Sequence, residues 1–407
     1  MPVIGVYLNI CVKIGIVLNS DWRRASIDFD GLGEALIRSG HEAVLVCRRR
    51  LSELAVLPVL EVSDEQRRNP PFWRALNLSA AIFVNWLLTP EVAQAIRAAG
   101  TYLIAQADSD GLGSVRVFPR ESWARTTDPL DSWVVRARKT THWMNRFVSL
   151  GKQEDLEVLR TAELSNDITI ESPLAAANLK KFFRFYGRDH LSERVRVIPH
   201  TVRMAFVEAP IELKRPPRIF CGGRWDDPQK GAKLLAHSLS RIISIIPEVE
   251  VVIAGRGGAW AFQPLAEKYP QVKWLGEVPP ETVPDLLKCC QFLLSGSQWE
   301  SYAIGTLEAL CLGCTFAGPP LPSFLSMAHG GQFGTVSSAL SAASLAKAAL
   351  QELQNWKSGR RDPLKIASWW RGYVNNDAVA EQFLALIRSG VNRQSSGSAI
   401  SSGQPVS

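Results

Sequence analysis

Residues 297–313 read Ser-Gln-Trp-Glu-Ser-Tyr-Ala-Ile-Gly-Thr-Leu-Glu-Ala-Leu-Cys-Leu-Gly. The apolar run Phe-Leu-Leu at residues 292–294 predicts a buried strand shortly before this stretch. The Leu- and Ala-rich second half predicts a helix, and Gly313 stands where a glycine commonly ends one. A strand, a loop and a helix in this order form the repeating unit of α/β proteins, so this stretch decides the fold class.

The loop and the start of the helix carry the groups of a candidate site. Ala303 and Ile304 would lie at the first turn, where unpaired backbone N–H groups and the helix dipole attract an anion. Glu300 falls in the loop before the helix, and Glu308 falls about one turn inside it. Carboxylates accept hydrogen bonds from hydroxyls, so this arrangement suits a sugar nucleotide, which carries both hydroxyls and phosphates. The alternative is a structural unit with two solvated glutamates and no ligand.

This stretch resembles the Glu-x7-Glu signature of retaining GT-B glycosyltransferases of family 4, the group 1 family. The usual pattern there is Pro-Ser-x-x-Glu-Gly-Phe-Gly, with a second Glu, an Ala and a Gly-x-Pro ending further on. Here Gly296, Ser301 and Ala303 stand at the positions of the Pro and the two glycines, and Thr315 replaces the final Pro. The resemblance implies an α/β fold of the GT-B type, in which two Rossmann-like, doubly wound domains face each other across a cleft.

A second stretch, residues 222–231, resembles the same family. It reads Gly-Gly-Arg-Trp-Asp-Asp-Pro-Gln-Lys-Gly and follows a predicted strand. Arg224 and Lys230 match the Arg and Lys with which the family holds the donor diphosphate, and a guanidinium and an ammonium both suit that charge. The resemblance also implies that the turn at Gly255 and the loop at Gly276 contribute to donor binding. A surface turn without a ligand is the alternative for this stretch.

Three features depart from the family pattern. The Gly-Gly loop that many members have after the first strand, near the donor phosphates, does not occur in this sequence. The joint between the domains, residues 197–203, reads Val-Ile-Pro-His-Thr-Val-Arg instead of Val-Ile-Pro-Asn-Gly-Val-Asp. Gln106, Asp108 and Asp110 follow a predicted strand where members often have a His. The two aspartates have the spacing of a divalent-metal pair, but GT-B enzymes do not need one, and we expect no metal.

The composition is that of a globular protein with two or three domains. The 407 residues are 46% hydrophobic and 21% charged, and no apolar run is long enough for a membrane-spanning helix. Seven scattered cysteines, an odd number, indicate reduced thiols and a cytoplasmic location. The net charge of +7 is accompanied by no nucleic-acid-binding motif, so we expect no nucleic-acid partner.

Peripheral contact with the inner face of a membrane stays open, because a modest positive charge attracts anionic lipid. Residues 180–188, Lys-Lys-Phe-Phe-Arg-Phe-Tyr-Gly-Arg, could provide such a contact. The interpretation that the sequence favours for them is a core-packed helix with a solvated basic side.

The pattern restarts after a proline-rich stretch, which suggests the domain boundaries. Residues 1–207 would form an N-terminal, acceptor-side Rossmann-like domain, and 208–217 a linker. Residues 218–368 would form the C-terminal domain that binds the nucleotide sugar. The resemblance implies that a helix at 369–390 crosses back to the first domain, and the Ser- and Gly-rich residues 391–407 would be a disordered tail.

The resemblance implies transfer of a hexosyl group from a nucleotide sugar to a glycan, lipid or other small acceptor, with retention of configuration and no cofactor. Glu308 would bind the ribose hydroxyls and Glu300 the hydroxyls of the sugar ring. Arg224 and Lys230 would stabilise the departing diphosphate. One alternative is a degenerate GT-B protein that binds a nucleotide or a partner without turnover, which the altered joint and the missing Gly-Gly loop favour slightly. The other is a GT-B epimerase or hydrolase of nucleotide sugars.

Overall fold

Two β-sheets with intervening helices organise the chain, which is the α/β architecture that the sequence predicts. The structure, a computed structural model, describes residues 11–19, 21, 28–51, 57–84, 89–126 and 132–401. Each strand pairing whose register is defined within these ranges is parallel. Parallel sheets bury both faces under helices, which explains why the strands read as continuous apolar runs and not as alternating patterns.

The first sheet is built from strands β1 (Lys13–Leu18), β2 (Glu42–Cys47), β3 (Val59–Glu61), β4 (Ala80–Val84), β5 (Tyr102–Ala107), β6 (Asp167–Ile170) and β7 (Val195–Val197). Their order in the sheet is β3-β2-β1-β4-β5-β6-β7. Every residue of β4 and β5 is buried, as expected for interior strands of a doubly wound sheet.

The helices described in this half of the chain are α1 (Asp28–Arg38), α2 (Asp64–Arg67), α3 (Pro70–Leu76), α4 (Pro90–Ala98), α5 (Pro119–Thr126), α6 (Trp133–Asn145), α7 (Gly151–Leu164) and α8 (Pro173–Phe185). Ser172 caps α8, because its hydroxyl accepts a hydrogen bond from the Ala175 N–H at 3.2 Å. The interpretation of α8 as a core-packed helix is confirmed, since Phe182 and Phe183 are buried.

The chain stays helical from Trp133 to Leu164, because α6 passes at Asn145 into a π-helical turn, Arg146–Leu150, which leads directly into α7. The Arg146 side chain donates two hydrogen bonds to Glu154, at 3.0 and 2.7 Å, and so ties the π turn to the start of α7.

The second sheet is built from strands β8 (Arg218–Gly222), β9 (Glu250–Ala254), β10 (Val272–Trp274), β11 (Phe292–Leu294), β12 (Thr315–Gly318) and β13 (Gly334–Val336), in the order β10-β9-β8-β11-β12-β13. The helices described around it and after it are α9 (Met204–Val207), α10 (Ala232–Ile245), α11 (Ala259–Lys268), α12 (Val283–Lys288), α13 (Ile304–Cys311), α14 (Pro322–Ala328), α15 (Ala342–Lys357), α16 (Pro363–Val374) and α17 (Asn376–Ser401).

The end of the chain differs from the prediction. The helix expected at 369–390 is two helices, because Asn375 adopts an extended conformation between α16 and α17 and its side chain donates to the Arg371 carbonyl at 2.8 Å. The second helix, α17, packs against α1. It also continues through most of the stretch expected to be a disordered tail, 391–407, of which 402–407 lie outside the described residues.

Two compact units can be distinguished by their internal contacts. One contains the described residues up to Ala107 together with 156–169 and 376–401, and the other contains 108–155 and 170–375. The predicted linker, 208–217, contains no helix or strand and separates the last strand of the first sheet from β8. The predicted domain limits themselves stay a prediction. Among the described helices, none combines the length and the apolar character needed to cross a membrane.

Candidate functional site

The strand order of the second sheet reverses between β8 and β11, which pair with each other. From β8 the chain proceeds to β9 and β10 on one side, and from β11 it proceeds to β12 and β13 on the other. Open α/β sheets bind ligands at the carboxyl ends of the two strands that flank such a switch point. Both predicted motifs, residues 222–231 and 297–313, leave the sheet at this place.

The two motifs contact each other through their backbones. The Gln298 N–H donates to the Gln229 carbonyl at 2.7 Å. Gly231 has φ +61°, and a Cβ at this position would collide with the carbonyl oxygen of Gly296. A glycine is therefore required here both by the left-handed backbone and by the close approach of the other loop.

Lys230 and Glu300, two of the predicted catalytic residues, lie side by side. The Lys230 ammonium donates to Glu300 Oε1 at 2.5 Å, and the Ser297 hydroxyl donates to the same oxygen at 2.7 Å. Only 9% of the Glu300 side chain is exposed, so the pair has little solvent to screen it. Gln229 lies against both motifs, because its side-chain amide donates to the Trp299 carbonyl at 2.8 Å.

Arg224 is not part of this cluster. Its guanidinium is 61% exposed and forms an ion pair with Asp227 at 3.2 Å within its own loop. Asp227 also caps the following short helix by accepting from the Gln229 N–H at 3.0 Å. The structure therefore places Arg224 on the same loop as Lys230 but not in contact with Glu300, and its role toward a diphosphate stays a prediction.

Gly255 and Gly276 lie together beside the same sheet edge. The Gly255 N–H donates to the Gly276 carbonyl at 2.7 Å. Gly255 has φ +137°, and a Cβ there would collide with the carbonyl oxygen of Gly223. Only glycine allows the loops after β8 and β9 to approach this closely. Their predicted part in donor binding is not tested by this geometry.

The predicted start of the helix is confirmed, because α13 begins at Ile304 with Ala303 as its N-cap residue. Ala303 has φ +56° and ψ 57°, in the left-handed region where the family pattern has a glycine. No side-chain cap satisfies the first N–H groups of α13, since the N-cap residue is an alanine. The helix therefore presents an N-terminus without a side-chain cap to the loop that carries Glu300.

Glu308 is held by a cation that the sequence analysis did not assign to the site. Its Oε1 accepts from Arg203 Nε at 2.9 Å, and Arg203 Nη2 lies 2.8 Å from the same oxygen. The guanidinium also lies 4.6 Å from the centre of the Phe206 ring. Arg203 is the residue that replaces the Asp of the family joint, so the charge change at that position was the signal that could have revealed the pair.

A histidine and two carboxylates form a further cluster that the sequence analysis missed as a unit. His200 Nε2 lies 3.1 Å from Glu171 Oε1 and 3.7 Å from Asp108 Oδ1. Burial raises the pKa of Glu171 to about 7, although His200 acts in the opposite direction. Burial alone would also raise the pKa of Asp108, but the contacts with His200 and Ser301 outweigh it and hold that pKa below its ordinary value. Asp110 is separate, because it pairs with Arg125.

Similarity in sequence to known proteins is found for the part of the chain that contains the second sheet. Residues 216–355 match the family model described as Glycosyl transferases group 1. A phosphatidyl-myo-inositol mannosyltransferase of Mycolicibacterium smegmatis is 29% identical over 147 residues, which is 34% of this chain and 37% of that protein. The enzyme of the same name from Mycobacterium tuberculosis H37Rv is 25% identical over 139 residues, or 33% of this chain and 37% of its own. The matches thus span well under half of these relatives.

Solved structures match over nearly the whole chain. A glycosyltransferase of Rickettsia africae has a TM-score of 0.66 at 9% identity, with 94% of this chain and 99% of that one covered. HepE of Anabaena, solved in complex with UDP, has a TM-score of 0.63 at 13% identity, with 93% and 100% covered. At such identities the likeness concerns the fold. The chain has the GT-B fold of two Rossmann-like domains, and its residues 216–355 are similar to the glycosyl transferases group 1 family.

Proposed function

We propose that the protein is a glycosyltransferase that moves a hexosyl group from a nucleoside diphosphate sugar to a glycan, lipid or other small acceptor with retention of configuration. The observation that carries the proposal is the contact between Lys230 and Glu300, at 2.5 Å, at the switch point of a group 1 domain. At this point Lys230 offers a cation to a phosphate, and Glu300 beside it offers an acceptor to hydroxyls. A sugar diphosphate carries both kinds of group within a few ångströms.

Each side chain has a distinct part in the proposed reaction. Glu308 accepts hydrogen bonds from the ribose hydroxyls, and Glu300 accepts them from hydroxyls of the transferred sugar. Lys230 and Arg224 neutralise the charge that develops on the diphosphate as it leaves, and the N-terminus of α13 adds its dipole. The proposal needs no cofactor, and it assigns the diphosphate to these two cations and not to a metal ion.

Retention follows from a reaction on one face of the sugar. The bond from the anomeric carbon to the diphosphate oxygen breaks, and the bond to the acceptor oxygen forms on the same face. The acceptor's hydroxyl proton passes to the departing diphosphate oxygen, so no carboxylate nucleophile is required. Positive charge on the diphosphate lowers the barrier to its departure, which is the role that Lys230 and Arg224 perform.

A lipid-linked acceptor is favoured by two observations. The relatives named above are phosphatidyl-myo-inositol mannosyltransferases, which by name act on a lipid. In this chain, α6 and the π turn after it expose large apolar side chains beside basic ones, among them Trp133 at 81% and Val148 at 70%. Such a surface suits peripheral contact with an anionic membrane, as we propose for a cytoplasmic enzyme.

A transfer assay tests the proposal. The full chain is incubated with UDP- and GDP-hexoses and with phosphatidylinositol or oligosaccharide acceptors, and the product anomer is read by NMR. We expect a product of retained configuration, and we expect Lys230→Ala to lower turnover by about 10²- to 10³-fold, as loss of a charge-stabilising group does. An inverted product would contradict the mechanism. An epimerised or hydrolysed donor without acceptor dependence would favour an epimerase or a hydrolase.

The second candidate is a protein that binds a nucleotide without turnover. The observation that favours it is the ion pair between Arg203 and Glu308, at 2.8 Å, because a carboxylate already held by a guanidinium is less available to the ribose. Nucleotide binding without transfer to any acceptor in the same assay would support this candidate over the enzyme.

A further inference from the structure

Three strand ends bring a histidine and two carboxylates to one place. Asp108 directly follows β5, Glu171 directly follows β6, and His200 follows β7 by three residues. These strands are neighbours in the first sheet, so the residues that follow them converge. One ligand atom from each side chain lies within 4.8 Å of the other two. The proposed transfer reaction assigns none of these side chains a task.

Glu171 is the most deeply buried of the three side chains. Its side chain has no exposed surface, and neither carboxylate oxygen has a hydrogen-bond partner among the residues that the structure describes. The contact with His200 Nε2, at 3.1 Å, has the distance of an ion pair but not the geometry of a hydrogen bond. A buried carboxylate without hydrogen bonds of good geometry destabilises the fold unless a cation lies against it.

We propose that Asp108, Glu171 and His200 bind a divalent transition-metal ion of the zinc type. One imidazole and two carboxylates are ligands that zinc accepts, and three protein ligands leave a fourth position for water. Zinc ligands at about 2.0–2.1 Å in a tetrahedron lie roughly 3.3–3.4 Å apart. The two measured separations, 3.1 Å and 3.7 Å, lie on either side of that value.

The surroundings fit a metal site. The Asp108 side chain is 37% exposed, so one of the three ligands is accessible from solvent. Ser301 forms a hydrogen bond with Asp108, and the Tyr302 ring lies 6.0 Å from the His200 ring. Supporting contacts of this kind orient metal ligands. The ion would lie beside the loop that carries Glu300, but it is distinct from the cations assigned to the diphosphate.

The experiment is a zinc titration of the chelator-stripped full chain in competition with a chromophoric indicator. Cys11 and Cys289, the accessible thiols among the described cysteines, are replaced by Ser throughout so that thiolates do not bind the probe. We expect one Zn²⁺ to bind and to raise the melting temperature. Glu171→Gln and Asp108→Asn should each weaken binding by at least about 100-fold, since even the loss of a supporting contact costs 10- to 100-fold.

Asp110→Asn is the matched control, because Asp110 lies two residues from Asp108 but pairs with Arg125. It should bind zinc like the parent protein. If Glu171→Gln does not fold, Asp108→Asn still decides the test. The Asp108 side chain is 37% exposed, and the amide of Asn has the same shape as the carboxylate it replaces, so this variant should fold. Equal zinc affinity in the parent and in Asp108→Asn would overturn the proposal. So would a parent protein that binds no ion, in which case the contacts among the three side chains themselves account for the cluster.

Discussion

Ala303 carries backbone strain at the point where α13 begins. Its φ of +56° places the backbone in the left-handed region, where the Cβ of an L-residue is crowded, at a cost of about 1–2 kcal/mol. The family pattern has a glycine at this position, for which the same conformation is free of strain. The strain is retained because the chain must turn between Tyr302, which is buried, and the first turn of the helix.

We therefore expect Ala303→Gly to raise the free energy of unfolding by about 1 kcal/mol or less, because relief of strain exceeds the extra backbone entropy of glycine. Thermal or urea denaturation measures it. Ala137→Gly, at an exposed position inside α6, is the control and should lower stability by up to about 1 kcal/mol. A loss of stability in Ala303→Gly as large as in the control would show that the left-handed backbone is not strained.

The two signature glutamates should separate by role. Glu308→Gln removes a charged acceptor of ribose hydroxyls, so we expect the Kd of a nucleoside diphosphate to rise by about 10- to 150-fold, which corresponds to about 1.5–3 kcal/mol. Glu300→Gln acts on the sugar and should leave that Kd within about threefold while lowering kcat. Calorimetry with UDP and GDP measures both, and Glu248→Gln, an exposed position, is the control.

Normal nucleoside diphosphate binding in both glutamate variants would mean that the Glu-x7-Glu spacing is coincidental in this chain. Arg203→Gln refines the test, because Arg203 competes with a ribose for Glu308. Tighter nucleotide binding by this variant would identify the ion pair as an obstacle to the ligand, as the alternative candidate requires.

The end of α13 shows how far a local pattern can be read. Gly313 was predicted to end the helix, and it has φ +76° with its N–H donating to the Leu310 carbonyl at 3.0 Å. The Cys314 N–H donates to the Ala309 carbonyl at 3.0 Å, which completes a Schellman motif. The apolar strand β11 and the glycine at the end of α13 are local signals. The sequence alone was therefore enough to predict where this strand-loop-helix unit begins and where it ends.

Helix α15 is tied to two strands by a buried carboxylate that no local pattern marks. Glu352 has no exposed side-chain surface and accepts hydrogen bonds from Thr315 on β12 at 2.6 Å and Thr335 on β13 at 2.5 Å. Arg361 donates to both of its oxygens, at 2.7 and 2.6 Å. The partners lie 9 to 37 residues away, which is why no local pattern in the sequence indicates these contacts.

Glu352→Ala should lower the free energy of unfolding by about 3–5 kcal/mol, because it leaves the guanidinium of Arg361 buried without its charge partner. Glu250→Ala is the matched control: its ion pair with Arg218, at 2.7 Å, is partly exposed and should contribute about 1 kcal/mol or less. Urea denaturation compares the two. Equal losses would show that burial does not set the strength of these pairs.

Across the chain, the sequence predicted individual elements and motifs. It did not predict clusters whose residues are distant in sequence and meet only through the order of the strands. The strands before the two motifs and the glycine that ends α13 were accessible from local patterns, and the two motifs were accessible from their resemblance to a known family. The cluster of Asp108, Glu171 and His200 was not, because its members are separated by 63 and 29 positions and meet only through the order of β5, β6 and β7. The division between α16 and α17 was missed because the apolar pattern continues across Asn375.

The central claim is that the group 1 domain binds a nucleoside diphosphate through the cations of its first loop. The most direct measurement is the thermal stability of the full chain with UDP or GDP at about 100 times its Kd, where binding adds about 2.7 kcal/mol to the free energy of unfolding. Arg224→Ala combined with Lys230→Ala should abolish the rise in melting temperature. Arg241→Ala combined with Lys347→Ala, which removes two exposed cations from α10 and α15, should leave it intact. An undiminished rise in the first double variant would contradict the account.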